Sequence, residues 1–375
     1  MKVAVIGWEL PPAFSGGLGV HTLNLFSILA EAVDVTLYVP DVPGLGSSYN
    51  FVVRKVKIPA RLRGKLPYSL IFEDFSEAVE QYNRRLVEEF DPSGIDLIHC
   101  HDWITFRAGM EIKKRYNIPM VVTVHSLETD RSGNFNPQRS VMEIERNGIY
   151  AADQVIAVSN YTKSCIVRDY GADPAKITPI HNGVDSIIYG LRDKDYRGTG
   201  QVLYFGRVTT QKGPTFFIRM AKRILEKYPE THFVVAGDGD QLSSIMDLSN
   251  QLNIQDSVKF LGFVDFQKSV EYYTESDVFV LPAVSEPFGM TVLESLVCGT
   301  PTVISRSTGV GEALHNVFRS EFWDTDLMAN EAAAILRFRS IRETMGRRGK
   351  MEAFQFTWEK AAIKTMEVYR KACGT

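Results

Sequence analysis

Two glutamates flank the start of a predicted helix in the second half of the chain. Glu286 follows an apolar, strand-like run, and Glu294 lies in the helical run that begins at Met290. The turn between them contains Phe288 and Gly289, which we expect to be exposed. A carboxylate in the first turns of a helix can accept hydrogen bonds from both hydroxyls of a ribose, and one before the helix can hold a sugar hydroxyl. The pair therefore predicts a sugar-containing ligand, although carboxylates at this position also balance the helix dipole.

Positively charged groups are predicted near phosphate-binding amides in the same half of the chain. The N–H groups of residues 288–291 precede the first intrahelical hydrogen bonds, so they can donate to phosphate or sugar oxygens. Arg207 and Lys212 lie in another loop between a predicted strand and a helix. A guanidinium and an ammonium suit a diphosphate, the first as a planar fork and the second as a point charge. The alternative is that both cations are merely solvated.

Glycines mark the corresponding turn in the first half of the chain. Gly16 and Gly17 open the first predicted helix, where paired glycines allow close approach of a ligand and positive φ angles. They could equally form a plain turn. A dinucleotide fingerprint would follow the strand directly, whereas here the loop of residues 8–15 intervenes. NAD binding is therefore disfavoured, and Asp41 near the end of the second strand does not alter that.

Histidines, an aspartate and a tryptophan lie at two predicted strand ends of the first half. In the run 99–101, alternation places the two histidines on one face and the cysteine on the other, so these three are not expected to share a tetrahedral metal site. Asp102 and Trp103 suit a sugar, the carboxylate for hydroxyls and the indole for a ring face. His125 ends the next strand and is expected at the same edge, where a purely structural role is equally compatible.

Composition excludes several classes of function. Lys and Arg (42) nearly balance Asp and Glu (45), so no global field attracts nucleic acid. The four cysteines lie far apart without a CxxC motif, which disfavours disulfides and structural zinc and indicates a reducing compartment. No apolar run reaches the ~20 residues of a membrane span, and the N-terminus runs directly into a strand. We expect a cytoplasmic protein.

Strand-like runs alternate with amphipathic runs along the chain, which predicts an α/β fold with parallel sheets covered on both faces. The alternation pauses in the polar stretch 182–200, which we expect to be a linker, and then resumes. We predict two doubly wound, Rossmann-like domains, residues 1–185 and 186–356, with a ligand cleft between them at the carboxyl ends of the strands. The final segment, 357–375, is predicted to be a helix with one apolar stripe.

In this order the motifs resemble the retaining GT-B glycosyltransferases, in particular the family containing sucrose-phosphate, glycolipid and archaeal-type glycogen synthases. The resemblance covers nearly the whole chain, and its most specific part is the Glu-x7-Glu motif of Glu286 and Glu294. It implies the GT-B fold, with residues 1–185 on the acceptor side and 186–356 binding the nucleotide sugar. It also implies that the helix 357–375 packs back on the first domain.

The resemblance further implies roles for single residues. Arg207 and Lys212 would hold the donor diphosphate, Glu294 the ribose, and Glu286 and His125 the transferred sugar. The catalytic residues expected from it are His125, Glu286, Arg207 and Lys212. The other donor contacts expected, many of them through the backbone, are Gly16, Gly17, Val264, Phe288, Gly289, Met290 and Thr291. The expected acceptor contacts are Asp102, Trp103 and Asn182.

The activity implied is transfer of a hexose, expected to be glucose from UDP- or ADP-glucose, to a glucan or another acceptor with retention of configuration. No metal or other cofactor is expected, because fixed cations and amides would neutralise the diphosphate. Two Asp-x-Asp pairs, residues 193–195 and 324–326, match the metal motif of the other glycosyltransferase class, but their polar, linker-like surroundings disfavour that role. The base stays open, because its expected contacts are backbone groups.

Two departures from the family pattern concern the acceptor. Phe14 and Ser15 occupy the segment where bacterial and plant starch synthases carry a lysine, and residues 315–322 replace the usual Asn-Gly-Leu-Leu-Val region. A lipid or small-molecule acceptor is therefore an alternative, and the basic stretch 54–65 could meet an anionic membrane, a glucan or only solvent. A non-catalytic sugar-binding protein is a second alternative, although it would not need charged groups placed for a nucleotide.

Overall fold

The computed structural model describes residues 1–13, 16–46, 48–59, 61–66, 69–190 and 194–374. It contains two compact units. Unit 1 comprises Met1–Glu128, Pro137–Gly183 and Trp358–Thr375, and unit 2 comprises Thr129–Asn136 and Val184–Thr357. Phe14 and Ser15, which depart from the starch-synthase pattern, and Asp193 of the first acidic pair lie outside the described residues.

The strands provide the framework of both units. In chain order they are β1 (Lys2–Ile6), β2 (Asp34–Pro40), β3 (Val52–Val56), β4 (Leu62–Leu66), β5 (Ser69–Phe72), β6 (Leu97–His101), β7 (Met120–Val124), β8 (Gln154–Ala157), β9 (Ile177–Pro179), β10 (Gln201–Phe205), β11 (His232–Ala236), β12 (Val258–Gly262), β13 (Val278–Leu281), β14 (Thr302–Ser305) and β15 (Phe318–Ser320).

Helices connect most of these strands. In chain order they are α1 (Gly17–Leu29), α2 (Phe75–Glu89), α3 (Trp103–Tyr116), α4 (Glu128–Arg131), α5 (Arg139–Ala151), α6 (Asn160–Tyr170), α7 (Ser186–Gly190), α8 (Pro214–Leu225), α9 (Leu242–Gln251), α10 (Phe266–Glu275), α11 (Met290–Val297), α12 (Thr325–Arg337), α13 (Arg339–Ala353) and α14 (Trp358–Cys373). Short 3-10 turns occur at Pro174–Lys176, Thr210–Lys212, Gln255–Ser257 and Gly309–Ala313.

Each unit contains one parallel sheet. Within the described residues the unit 1 sheet has the order β3-β2-β1-β6-β7-β8-β9, and the unit 2 sheet has the order β12-β11-β10-β13-β14-β15. Every pairing in both sheets is parallel. Counted along each sheet's own strands, unit 2 has the order 3-2-1-4-5-6 of the Rossmann fold, and unit 1 has the same order with a seventh strand added at the end. In this fold ligands bind where the order reverses. The predicted α/β class with two Rossmann-like domains is confirmed.

The apolar runs form strands because a central parallel strand is covered by helices on both faces. All residues of β6, β7 and β8 are buried. Side-chain caps fix several helix starts: the carboxylate of Asp74 accepts from an N–H of α2, and the hydroxyl of Ser159 accepts from an N–H of α6. Each cap satisfies a backbone donor that the helix itself leaves unpaired.

Helix α14 belongs to unit 1. The five residues of its predicted apolar stripe are all buried: Trp358, Ala361, Ala362, Thr365 and Tyr369. The Tyr369 hydroxyl is 2.7 Å from Nδ1 of His99 in β6. Through this contact the final helix reaches the centre of the unit 1 sheet.

The polar stretch that suggested a linker is instead a packed part of unit 2. Residues 186–190 form α7, whose Tyr189 is 3 % exposed. Tyr196 is also buried, and the ammonium of Lys194 donates to the carbonyl oxygens of Thr274 and Ser276. The two units divide between Gly183 and Val184, near the start of this stretch. The packing of the rest had no signal in the sequence, because isolated aromatic rings and a lysine leave no periodic pattern. A second difference is that the segment Thr129–Asn136 belongs to unit 2.

Candidate functional site

Lys212 and Glu286 form an ion pair in unit 2. Lys212 ends the turn Thr210–Lys212, and Glu286 lies in the loop that follows β13. The backbone of Glu286 is held on both sides, since its N–H donates to Ser307 (2.9 Å) and its carbonyl accepts from Gly309 (2.8 Å). Only 13 % of the Lys212 side chain and 9 % of that of Glu286 are exposed. Because both charges are largely buried, removing one would leave the other uncompensated.

The start of helix α11 follows directly from this loop. Gly289 precedes the helix with φ of 107°, a conformation that favours glycine, and Met290 is the first helical residue. Phe288, which we expected to be exposed, is only 3 % exposed and packs against Phe356 at 6.4 Å between ring centroids. Among the described residues, the buried hydroxyl of Thr291 has no hydrogen-bond partner. The turn therefore positions backbone amides and one hydroxyl, while its aromatic ring contributes to packing.

Glu294 lies one turn into α11 and is held by two tyrosines. The Tyr273 hydroxyl, on α10, donates to its carboxylate at 2.9 Å, and the hydroxyl of Tyr189 on α7 also bonds to it. Burial raises the pKa of Glu294, and the two tyrosines and the positive charge of Lys212 oppose that rise. The two tyrosines therefore fix the orientation of the carboxylate, which can accept further hydrogen bonds when it is charged.

Arg207 lies at the carboxyl end of β10, beside the same cluster. Its guanidinium donates to Oε1 of Gln211 at 3.2 Å, and its carbonyl accepts from the Tyr204 hydroxyl at 2.9 Å. The carbonyl of Gln211 accepts from Val284 N–H in the loop after β13. Strands β10 and β13 are neighbours at the point where the strand order reverses. The structure therefore brings together the predicted donor residues Arg207, Lys212, Glu286, Phe288, Gly289, Met290, Thr291 and Glu294.

Val264 lies at the other side of the unit 2 sheet, after the edge strand β12. It is buried, and the Gly262 carbonyl at the end of β12 accepts from Gly237 N–H at 2.8 Å. Gly237 itself has φ of 149°, and a Cβ there would lie 1.8 Å from the carbonyl oxygen of Gly206. The ends of β10, β11 and β12, beside the expected donor contact Val264, are therefore in very close contact.

Four buried or half-buried histidines form a cluster in unit 1 at the carboxyl ends of its strands. We call them the histidine cluster: His21, His99, His101 and His125. Alternation along β6 places His99 and His101 on one face, as predicted, with ring centroids 4.3 Å apart. His99 is fully engaged, because its two ring nitrogens are each 2.7 Å from the hydroxyls of Tyr369 and Thr123.

The other three histidines converge on one another. Nδ1 of His101 is 3.0 Å from Nε2 of His125, and the two rings stack at 5.3 Å. The His21 ring lies 4.5 Å from that of His125, and its Nδ1 donates to the Asn182 carbonyl oxygen at 2.9 Å. Asn182, predicted to contact the acceptor, therefore orients His21. His21 was missed in the sequence, where its position one turn after Gly17 was the available signal.

Burial keeps the histidine cluster uncharged. It lowers the pKa of His125 to about 3. It holds the pKa values of His21, His99 and His101 well below their usual range, and repulsion between neighbouring imidazoles lowers them further. At neutral pH these rings therefore offer lone pairs and N–H groups rather than positive charges.

Asp102 holds the backbone beside this cluster. Its Oδ1 accepts from the N–H groups of His125 (2.7 Å) and Ser126 (3.3 Å). It thus ties the end of β6 to the end of β7. Trp103 begins α3, is half-buried, and meets Phe75 edge-on at 6.1 Å. The contacts of Asp102 and Trp103 with an acceptor stay predictions.

The glycine turn of unit 1 leads into helix α1. Gly16 has φ of −107°, so it does not use the positive φ that glycine allows. Its N–H, with that of Gly19, donates to the carboxylate of Glu9 at 2.7 and 3.0 Å. Glu9 was missed in the sequence, because a single acid in a loop does not signal a helix cap ten residues away. The start of α1 is therefore held by a carboxylate from the loop after β1.

Three carboxylates of the two acidic pairs lie within the described residues, and each has a structural partner. Asp324 caps α12, and Asp326 pairs with Arg223 at 2.8 Å. Asp195 pairs with Arg197. Local structure thus gives these three carboxylates partners, and the absence of a metal role for them stays a prediction.

Comparison with known proteins assigns the family. The model for glycosyltransferase family 4 matches residues 15–186, and that for glycosyl transferases group 1 matches residues 194–350. A glycosyltransferase of Methanocaldococcus jannaschii, described as uncharacterised, is 30% identical over 99% of this chain and 98% of its own length. The chain belongs to the group 1 family of GT-B glycosyltransferases.

Two further similarities accompany this assignment. Glycogen synthase of Mycobacterium tuberculosis is 27% identical to this glycosyltransferase over 99% of the chain and 95% of its own length. The structure of sucrose-phosphate synthase from Thermosynechococcus elongatus superposes with a TM-score of 0.81, at 20% identity and 98% coverage of each chain. The predicted GT-B fold and the family resemblance are confirmed. The glycosyltransferase uses a nucleotide-sugar donor.

The glycosyltransferase has no helix, among its described residues, that is long and apolar enough to cross a bilayer. Tyr273 and Tyr189, which form hydrogen bonds with Glu294, were missed in the sequence. They come from α10 and α7, far from the Glu-x7-Glu motif along the chain. Such a long-range contact has no local signal.

Proposed function

We propose that this glycosyltransferase is a retaining hexosyltransferase of the glycogen synthase type, moving glucose from a nucleoside diphosphate sugar to a glucan. The observation that carries the proposal is the cluster of Lys212, Glu286 and Glu294 at the start of α11. It combines fixed cationic, carboxylate and amide groups within one unit, as a ligand with phosphates and hydroxyls requires. The glycogen synthase relative supports the glucan acceptor.

The donor would bind with its ribose hydroxyls on Glu294 and its diphosphate on Arg207, Lys212 and the amides of α11. The diphosphate gains negative charge as the glycosidic bond breaks, and groups fixed before the reaction stabilise that charge without reorganisation. The buried Thr291 hydroxyl is a further donor for a phosphate oxygen. Because these groups supply the positive charge, we propose that transfer requires no metal ion.

The transferred sugar would lie against Glu286 and His125. A neutral imidazole, which the low pKa of His125 ensures at physiological pH, can exchange a hydrogen bond with a sugar hydroxyl without repelling a cationic transition state. Gly16 and Gly17 of unit 1 and Val264 of unit 2, the last beside the base, complete the proposed donor contacts. Asp102, Trp103 and Asn182 would support the acceptor side.

We propose retention because the motifs of this chain resemble those of the retaining GT-B glycosyltransferases. The acceptor hydroxyl would attack the anomeric carbon on the face that the diphosphate leaves, and a leaving phosphate oxygen would take its proton. The cytoplasmic location also stays a proposal, supported by the four free cysteines.

The test is a donor and acceptor screen. UDP-glucose and ADP-glucose are each supplied with glycogen, a short malto-oligosaccharide, a lipid acceptor or a small polyol, and sugar transfer is measured with EDTA present. We expect transfer to glycogen or the oligosaccharide and an α-linked first product by NMR. A β-linked product would overturn retention, and transfer only to a lipid or polyol would overturn the glucan acceptor. Nucleotide binding without transfer to any acceptor would favour a non-catalytic sugar-binding protein.

A further inference from the structure

Three members of the histidine cluster present ring nitrogens to one another. One possible ligand atom from each of His21, His101 and His125 lies within 4.8 Å of the other two. These residues come from α1, from the end of β6 and from the end of β7, so the fold alone brings them together. The rejection of a metal site in the run 99–101 does not extend to this set, because it replaces His99 and Cys100 with residues distant in sequence.

The hydrogen bonds around these rings leave nitrogens available. His21 uses Nδ1 to donate to Asn182, which makes Nε2 the atom with the lone pair. Among the described residues, the buried Nε2 atoms of His21 and His101 have no hydrogen-bond partner. Buried polar atoms rarely lack a hydrogen-bond partner, so both nitrogens are candidates for binding a ligand. His99, in contrast, has both nitrogens engaged and is excluded as a ligand.

We propose that His21, His101 and His125 form a binding site for a divalent transition-metal ion, with zinc as its natural occupant. Imidazole nitrogen suits zinc, copper and nickel better than magnesium or calcium, which prefer oxygen. Three histidines with a fourth position for water form a well-known zinc geometry.

The spacing requires only a modest side-chain adjustment. Zn–N bonds of about 2.0–2.1 Å in a tetrahedral site place two ligand nitrogens about 3.3 Å apart. Nδ1 of His101 and Nε2 of His125 already approach to 3.0 Å, and the ion would replace the hydrogen bond between them. One ring nitrogen of His21 has to close from within 4.8 Å. The residues that hold these histidines in place also fit a metal site. Asn182 fixes the tautomer of His21, and Asp102 anchors the backbone of His125.

A bound metal ion would use the lone pair of the His125 imidazole, which could then no longer accept a hydrogen bond from the transferred sugar. It would therefore inhibit glucosyl transfer reversibly, and this clause alone rests on the proposed function. The ion would act as an inhibitor rather than a cofactor, so the site agrees with a metal-independent reaction. Zinc binding without inhibition would overturn the inhibitory role and leave the site itself standing.

The site is tested by isothermal titration of the full chain with Zn²⁺ and by the visible spectrum of the Co²⁺ form. We expect one high-affinity ion per chain and the d–d bands of a tetrahedral nitrogen-rich site. His21→Gln and His125→Ala should each weaken zinc affinity at least about 10-fold, since even changes behind a metal ligand have such effects. His125→Ala keeps the test informative if His21→Gln does not fold, because His125 is only half-buried.

The matched control is the double variant His232→Gln/His315→Gln, which removes two exposed histidines of unit 2. It should bind zinc as the unmodified chain does. The proposal is overturned if the chain binds no zinc at 100-fold excess. It is equally overturned if His21→Gln and His125→Ala keep full affinity, or if only the double variant loses it.

Discussion

Glu294 combines burial with two tyrosine hydrogen bonds, so its charge is directed rather than solvated. We expect Glu294→Gln to weaken binding of UDP or ADP by about 1.5–3 kcal/mol, because a charged acceptor for two hydroxyls is lost. Calorimetry measures the affinity, and circular dichroism should show an unchanged fold. Tyr273→Phe is the control that keeps the charge but frees its orientation, and it should lose less. Unchanged nucleotide affinity in Glu294→Gln would remove the ribose assignment.

The raised pKa of Glu294 also predicts a pH dependence of nucleotide binding. The carboxylate accepts ribose hydroxyls fully only when it is deprotonated, and burial makes it take up a proton at a higher pH than an ordinary glutamate. Affinity for UDP or ADP should therefore fall as the pH drops through that raised pKa, and Glu294→Gln should abolish this component. Identical pH profiles for the two proteins would contradict the prediction.

Arg207 and Lys212 should differ in one respect although both are expected to hold the diphosphate. Arg207→Ala and Lys212→Ala should each lower kcat/KM by at least 100-fold, on the order of 2.7 kcal/mol or more of transition-state stabilisation. Lys212→Ala should in addition destabilise unit 2 by about 3–5 kcal/mol, because it leaves the Glu286 carboxylate buried without its partner. Kinetic assays and thermal melting separate the two effects. Equal melting temperatures for both variants would argue against the buried pair.

Close contact between strand ends constrains unit 2 at the level of its elements. Gly237→Ala should destabilise this unit by more than about 3 kcal/mol, because the new methyl group meets the Gly206 carbonyl and φ is 149°. Gly262→Ala is the matched control. Gly262 also has positive φ, 67°, but no atom of the described residues lies within 4 Å of its Cβ position, so we expect about 1 kcal/mol. Chemical denaturation monitored in unit 2 should resolve the difference, and equal losses would contradict it.

The helices and strands could be predicted from the sequence far better than the contacts between them. Continuous buried runs such as β6 and β7 have a local signal, since apolar periodicity decides strand placement. The local geometry around the Glu-x7-Glu motif could also be predicted from the sequence, except that Phe288 is buried. Contacts such as Tyr273 with Glu294, His21 with Asn182 and Glu9 with Gly16 depend on residues from separate elements. They are set by tertiary packing, which a single sequence does not reveal.

At the scale of the whole molecule, the two units should respond differently to acid. Three fully buried histidines of unit 1, His21, His99 and His101, have pKa values well below the usual range. The unfolded chain therefore binds more protons below about pH 6.5, so stability is complete above that pH and is lost as the pH falls. Each should remove roughly 1 kcal/mol between about pH 6.5 and 5.5, and His125, with its pKa of about 3, adds a similar loss, on the order of 4 kcal/mol together.

Unit 2 lacks such a group among its described histidines, since His232 and His315 are exposed. Hydrogen exchange followed by mass spectrometry should thus show unit 1 losing protection at a higher pH than unit 2. His21→Gln should reduce the acid sensitivity by about one quarter, provided that it folds, while His315→Gln should not change it. Simultaneous loss of protection in both units would refute the prediction.

The position of α14 along the chain has a consequence for biosynthesis. Its buried stripe and the Tyr369–His99 contact belong to unit 1, yet all of residues 184–357 are translated before it. At about 5–20 residues per second, the ribosome needs about 10 to 35 s to make that stretch. During this time the earlier part of unit 1 exposes the apolar surface that α14 later covers, and at the end of it the sequence of unit 2 is complete. We infer that the nascent chain completes unit 2 first, and that its amino-terminal half is the part that depends on chaperones until the final helix emerges.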